Sequence, residues 1–254
     1  LSGGSQVNPK EKGFNVPLDM AMAFHTDAGT TLDDEMIGTL AIYTRFSNDQ
    51  DVYPTGEPRV ISRELADLIQ TQIVDDVQEL YEENWPRRGL WDRSYSESRT
   101  PEVPTMLLEL LSHQNLADMR YGLDPKFRFT VSRAIYKAML RFQAQRYGYD
   151  YVVQPLPVES FAAVLVDNKK SKPSVKLSWS PVNDPLEPTA KPTGYVVYYQ
   201  QEGGKSGHKV VAGGSTSTTI EIEPGEIYSF KVVATNAGGA SFPSEEMSVG
   251  TTTD

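Results

Sequence analysis

The sequence predicts two domains of different class: an open α/β sheet with flanking helices over residues 1–152, and an all-β sandwich over residues 158–254. Three observations predict this. Strand and helix signals alternate in the first part, whereas the second holds only short alternating strands with Gly/Pro turns. All twelve arginines lie between Arg45 and Arg146, and none follows. Between the two regimes stands Val153-Gln154-Pro155-Leu156-Pro157, whose prolines resist both a helix and a central strand, so 153–157 reads as a linker.

Asp19 to Phe24 and Gly38 to Tyr43 read as the first strands. Ser62 can cap a long helix whose apolar stripe is Leu65, Leu68, Ile69, Ile73, Val77 and Leu80, spaced by about three or four. Thr105 to Leu110 is continuously apolar apart from Glu109, as expected of a strand covered on both faces. Asp124 before Pro125 is an N-cap with proline at the first helical position. Phe127, Val131, Ala134, Ile135, Ala138, Met139 and Phe142 then mark a buried face, and Gly148 a stop. In the second part, Val175 to Trp179 alternates with Trp179 inward, and Gly194 to Tyr199 and Thr218 to Ile222 follow. Pro224-Gly225 turns the chain into Tyr228 to Ala234. Strands at this spacing predict a sandwich of roughly 100 residues.

Composition removes several functions. A formal charge of −10 argues against a nucleic-acid backbone or an anionic membrane surface as partner. No apolar run approaches the ~18 residues of a membrane span. The absence of cysteine excludes disulfides and thiolate metal sites. Leu1 to Gln6 has neither the basic head nor the apolar stretch of a signal peptide. It reads as a loop entered partway, in a mature protein or a fragment of a longer one.

Two segments carry candidate chemistry. Ala21 to Gly29 runs from an apolar strand into His25 and Asp27, and there are only three histidines, His25, His113 and His208. A strand end holds an imidazole in a fixed direction, as a metal ligand or base requires. In the second segment Glu109 stands among leucines, where desolvation raises a carboxyl pKa toward that of a general base. The pattern leaves a plainer reading open, with His25 bonded to a loop and Glu109 paired with an arginine such as Arg93 or Arg99. Asp27 is expected to shape a turn, with orientation of a ligand or substrate as the alternative. His113 is expected to cap the helix from Leu116 to Tyr121, with reach into the site as the alternative. His208, in a Gly-rich hairpin, reads as a solvated loop residue.

Trp179, the Tyr195 and Tyr198 region, and Pro224-Gly225-Glu226-Ile227-Tyr228-Ser229-Phe230 before Ala234-Thr235-Asn236-Ala237-Gly238-Gly239 resemble a fibronectin type III domain. That resemblance implies a spacer or adhesive module, with Tyr228 as a tyrosine corner bonding back to nearby backbone. In the first part, Phe24-His25-Thr26-Asp27-Ala28 followed by Gly38 to Tyr43 is similar to a zinc-ligand segment of the zinc-dependent N-acetylmuramoyl-L-alanine amidases. Ser62 to Ala66 resembles that family's following helix, Val103 to Ser112 its catalytic-glutamate strand, and Phe127 to Phe142 its closing helix.

The resemblance implies that His25 is a zinc ligand and Glu109 the general base and proton shuttle, cleaving the amide between muramic acid and L-alanine. The family takes a further His and Glu from the earlier half of its fold. Nothing before Phe24 supplies them, the only earlier carboxylates being Glu11 and Asp19. The first domain is therefore expected to lack its amino-terminal half or to have lost catalysis. Ala23 to Gly29 with a type III module after it also resembles large secreted Bacteroides-type proteins labelled xanthan lyase or golvesin-domain proteins. The first functional expectation is a periplasmic or extracellular bacterial zinc hydrolase acting on cell-wall glycopeptide. A non-catalytic binder of cell-wall glycan or polysaccharide is the second, and a polysaccharide lyase the third.

Overall fold

The computed structural model describes residues 18–28, 35–167 and 172–251. The readings of Leu1 to Gln6, Glu11 and Gly29 fall outside those residues. The chain divides into two compact units, Leu1–Tyr149 and Asp150–Asp254.

The first unit runs β1 (Ala21–Asp27), β2 (Thr39–Tyr43), α1 (Ile61–Leu80), β3 (Arg87–Asp92), α2 (Ser96–Arg99), β4 (Thr105–Ser112), α3 (Leu116–Gly122) and α4 (Pro125–Tyr147). Its sheet has the order β1-β4-β2-β3. β1 and β4 are parallel, β2 and β3 are parallel, and β2 meets β4 antiparallel, so the sheet is mixed. Side chains alternate between its faces. Ala41, Tyr43, Met106, Leu108 and Leu110 face the main core, where α1 adds Leu65, Ile69, Ile73 and Val77, and α4 adds Phe127, Val131, Ala138 and Phe142. The intervening Leu40, Ile42 and Leu107 form a smaller apolar cluster with Ala23. β4 is thus buried along its length except at Glu109, which is half-buried.

Two helix details differ from the sequence reading. Ser62 lies inside α1, because Val60 is already helical and acts as the cap without a side-chain bond. The N–H groups of Ile61, Ser62 and Arg63 reach the carbonyls of Pro58, Arg59 and Val60, leaving the Ser62 hydroxyl no orphan donor to cap. It instead meets the Tyr53 hydroxyl at 2.6 Å and accepts the Thr105 N–H at 3.0 Å, tying α1 to the start of β4. Leu80, expected on the buried stripe, is exposed where the helix runs out. α4 starts and stops as read, with Asp124 accepting the Lys126 N–H and Gly148 left-handed at φ 68°.

Gly38 sits just before β2 at φ 74°, and a Cβ there would lie 2.2 Å from the Pro86 carbonyl oxygen. Backbone strain and overlap act together. Gly38→Ala is expected to destabilise the first unit by roughly 2–4 kcal/mol. Chemical denaturation of the variant measures this, and a loss under about 1 kcal/mol would contradict the assigned backbone.

The second unit contains β5 (Glu159–Asp167), β6 (Ser174–Ser180), β7 (Gly194–Gln201), β8 (Ser206–Ala212), β9 (Ser217–Glu221), β10 (Ile227–Asn236), β11 (Gly239–Ala240) and β12 (Met247–Gly250). One sheet orders β5-β6-β9, and the other β11-β10-β7-β8 with β12 also on β10. Trp179, Tyr195, Val197, Phe230 and Val232 fill the space between them. Burial raises the Tyr228 hydroxyl pKa, while its hydrogen bond with the Glu223 backbone opposes the shift. Val153, within the segment expected to be a linker, is fully buried in this unit. Its N–H reaches Thr189 Oγ1 and its carbonyl accepts from Asn236 Nδ2 at 2.8 Å.

Candidate functional site

β1 and β4 bring the two candidate segments together. His25 is the in-register neighbour of Glu109, and on the other side Glu109 pairs with Leu40 of β2. In-register neighbours of a parallel pair point to one face from strands about 4.8 Å apart. Imidazole and carboxylate therefore stand side by side beyond the apolar cluster of Leu40, Ile42 and Leu107. Both stand near the ends of their strands, His25 two residues before Asp27 closes β1 and Glu109 three before Ser112 closes β4.

Glu109 Oε2 is buried and has no hydrogen-bond partner. Desolvation pushes the carboxyl pKa up, with Asp27 adding to the rise, while His25, Arg88 and His113 pull it down. Those four groups thus share one electrostatic neighbourhood with Glu109. Neither Arg93 nor Arg99 forms an ion pair with Glu109; Arg88 is the arginine whose charge reaches it. Arg93 donates to the Asp92 carbonyl and Arg99 to Ser94.

The segment that Asp27 is expected to turn lies outside the described residues. Asp27 itself lies in β1 next to a register shift, and Arg88 of β3 donates to its Oδ2 at 2.8 Å with both side chains mostly buried. His113 does not cap α3. Asn115 does so, accepting from the Ala117 and Asp118 N–H groups. His113 Nδ1 instead meets Thr26 Oγ1 at 2.9 Å, beside β1. His208 is on strand β8 opposite Tyr198, not in a loop, and lines an open cavity of about 770 Å³ in the second unit.

Two residues that sequence reasoning passed over support the site. Arg88 neutralises Asp27 and lies 5.8 Å from the Trp91 ring centroid. Asp118 is fully buried and accepts N–H bonds from Ile37, Gly38 and Ser112, fastening the entry to β2 to the end of β4. Its spacing from Asn115 is the one available signal, a polar cap followed by an acidic first turn.

A catalytic zinc ion takes about three protein ligands and keeps one position open. Among the described residues no group of three or more His, Asp or Glu is placed to hold a metal ion. His25 supplies one nitrogen donor, and Asp27 is engaged by Arg88. The described residues therefore fit zinc only in part and do not close a site by themselves. No helix among them is long and apolar enough to cross a membrane.

Residues 163–250 match the family model of the fibronectin type III domain, and the second unit is a sandwich of that type. The FN1–FN3 domains of chicken CNTN1 are 19% identical at a TM-score of 0.34, over 40% of this chain and 33% of that one. The FN5 domain of Drosophila Lar is also 19% identical at a TM-score of 0.31, over 39% of this chain and 99% of that one. An N-acetylmuramoyl-L-alanine amidase from Clostridium difficile 630 is 18% identical at a TM-score of 0.41, over 50% of this chain and 59% of that one. The chain thus spans under two thirds of the CNTN1 and amidase structures. No curated protein matches it.

Proposed function

We propose that the first unit is part of a zinc-dependent amide hydrolase of the N-acetylmuramoyl-L-alanine amidase kind, acting on cell-wall glycopeptide outside the cytoplasm, with the fibronectin type III unit as its accessory module. The observation that carries this reading is the pairing of His25 with a buried, unpartnered carboxylate oxygen of Glu109 on adjacent strands. An unpaired carboxylate in an apolar strand is costly to keep, and a proton-transfer role explains its presence. Zinc, when bound through His25 and donors outside the described residues, supplies carbonyl polarisation and an acidified water. Glu109 accepts the proton as the nucleophile forms and returns it to the leaving amine. Arg88 holds Asp27 neutralised, so that a second free carboxylate does not compete for that proton.

The test uses the intact protein with any upstream sequence. It is expected to bind zinc near stoichiometrically and to release stem peptide from muropeptide. His25→Ala is expected to weaken zinc binding by at least about 100-fold, the scale of losing a directly coordinating group. Zinc-free protein under conditions that keep histidine neutral overturns the hydrolase reading, leaving a non-catalytic glycan binder. New unsaturated sugar ends absorbing in the ultraviolet overturn it in favour of a polysaccharide lyase.

A further inference from the structure

Arg59 is 5% exposed, yet it has no carboxylate partner. Its ring-facing side lies over Tyr53, with the guanidinium carbon 4.5 Å from the ring centroid. Nη1 donates to the Arg99 carbonyl at 3.2 Å, while Nε is buried with no hydrogen bond. A buried charge that is neither paired nor fully hydrogen-bonded is strongly unfavourable. One carbonyl and an aromatic face compensate it only in part.

Arg59 also lines a cavity of about 400 Å³. Arg99 stands in the wall and is also without an ion pair, its donors going to the carbonyl and hydroxyl of Ser94. Asn48, Gln50 and Thr100 add neutral hydrogen-bonding groups. Asn48 and Asp49 are both left-handed, at φ 52° and 61°, between Ser47 and Gln50, which form an isolated antiparallel bridge. That tight turn fixes the amide-bearing wall. Glu102 is the one acidic group lining the cavity, against two arginines, and the net lining charge is positive.

The cavity is separate from the His25–Glu109 pair. Tyr53 reaches Ser62, which binds the first residue of β4, whereas Glu109 is the fifth of that strand. Four residues of strand place them about 13 Å apart along the sheet.

We propose that this cavity is an anion-binding site, taking a small oxyanion, either a carboxylate or a phosphate, between Arg59 and Arg99. The planar fork of a guanidinium matches two oxygens of either group. An anion there supplies the counter-charge that Arg59 lacks inside the protein. The site is independent of the amidase reading, since neither arginine touches His25 or Glu109.

The experiment is a thermal-shift titration of the whole chain with sodium phosphate and, separately, sodium acetate, each against sodium chloride at matched ionic strength. One or both are expected to raise Tm saturably at millimolar concentration. Phosphate alone acting assigns a phosphate ligand, and acetate acting as well assigns a carboxylate. Arg99→Gln is expected to raise the apparent Kd by about tenfold or more, a lost charge-assisted pair. Glu102→Gln, which leaves both arginines and their backbone contacts intact, is expected to lower it. The proposal is overturned if neither anion exceeds chloride, or if the folded Glu102→Gln protein binds no tighter than the parent.

Discussion

Glu109→Gln is expected to lower amide hydrolysis by the intact zinc-loaded protein by roughly 10²–10⁴-fold, the usual contribution of a general acid–base group. Glutamine keeps the shape of the side chain and cannot accept a proton, so zinc binding through His25 should persist. The same substitution has a second, opposite effect on stability. Burial lifts the Glu109 carboxyl above its ordinary value of 4.5. A raised folded value means that the native state holds this proton more tightly than the unfolded chain does. Stability from this group is then fully present below pH 4.5 and is lost as pH rises through the raised folded value. The parent should therefore lose part of its stability over that window in metal-free buffer, and Glu109→Gln should lack that loss. Denaturant unfolding of both proteins at pH 4 and pH 7 checks it. Parallel pH profiles would remove the strain on Glu109 and with it the strongest support for a catalytic role.

The expected function rests on residues that differ in how far the sequence announces them. Glu109 is conspicuous because a charge in Met106-Leu107-Leu108-Glu109-Leu110-Leu111 breaks an apolar run, and the helix stripes of α1 and α4 follow from their periodicity alone. The strands that sequence reasoning missed, β3, β5, β8, β11 and β12, all lie at sheet edges. β5 is apolar enough to have been read. For β3 the reason is physical: an edge strand carries polar and charged residues, which erases the apolar pattern that betrays a central strand. Arg87-Arg88-Gly89-Leu90-Trp91-Asp92 is such a case, and with β3 unseen the Arg88–Asp27 pair was out of reach. That pair joins residues 61 positions apart, so no local spacing encodes it. His113 was misplaced for a related reason. Its helix-cap reading was locally sensible, but Asn115 two residues later has the better geometry, and Thr26 comes within reach only once β1 lies on β4. Arg59 gave no signal at all, because a missing partner is visible only when every neighbour is in place.

Lys137→Met and Asp76→Leu are each expected to destabilise the first unit by about 3–5 kcal/mol, and the double variant to recover most of that loss. Lys137 Nζ lies 2.7 Å from Asp76 Oδ2 between α4 and α1, with side-chain exposures of 2% and 4%. Gln72 donates to the other carboxylate oxygen at 2.8 Å, and Arg141 donates to Gln72 in turn. Removing either partner alone leaves the other charge buried, whereas removing both leaves no buried charge, only the Gln72 amide short of one acceptor. The loss arises from desolvation more than from attraction, so the coupling between the two positions should be large while the pair's net contribution stays small. Burial also shields the pair from ions, so the single-variant losses should change little between 0.05 and 1 M salt, unlike the exposed Arg45–Asp92 bridge. A double-mutant cycle by urea unfolding at both salt concentrations measures every quantity. If the double variant is as unstable as the sum of the singles, the two side chains act separately, and the pair does not govern how α4 seats on α1.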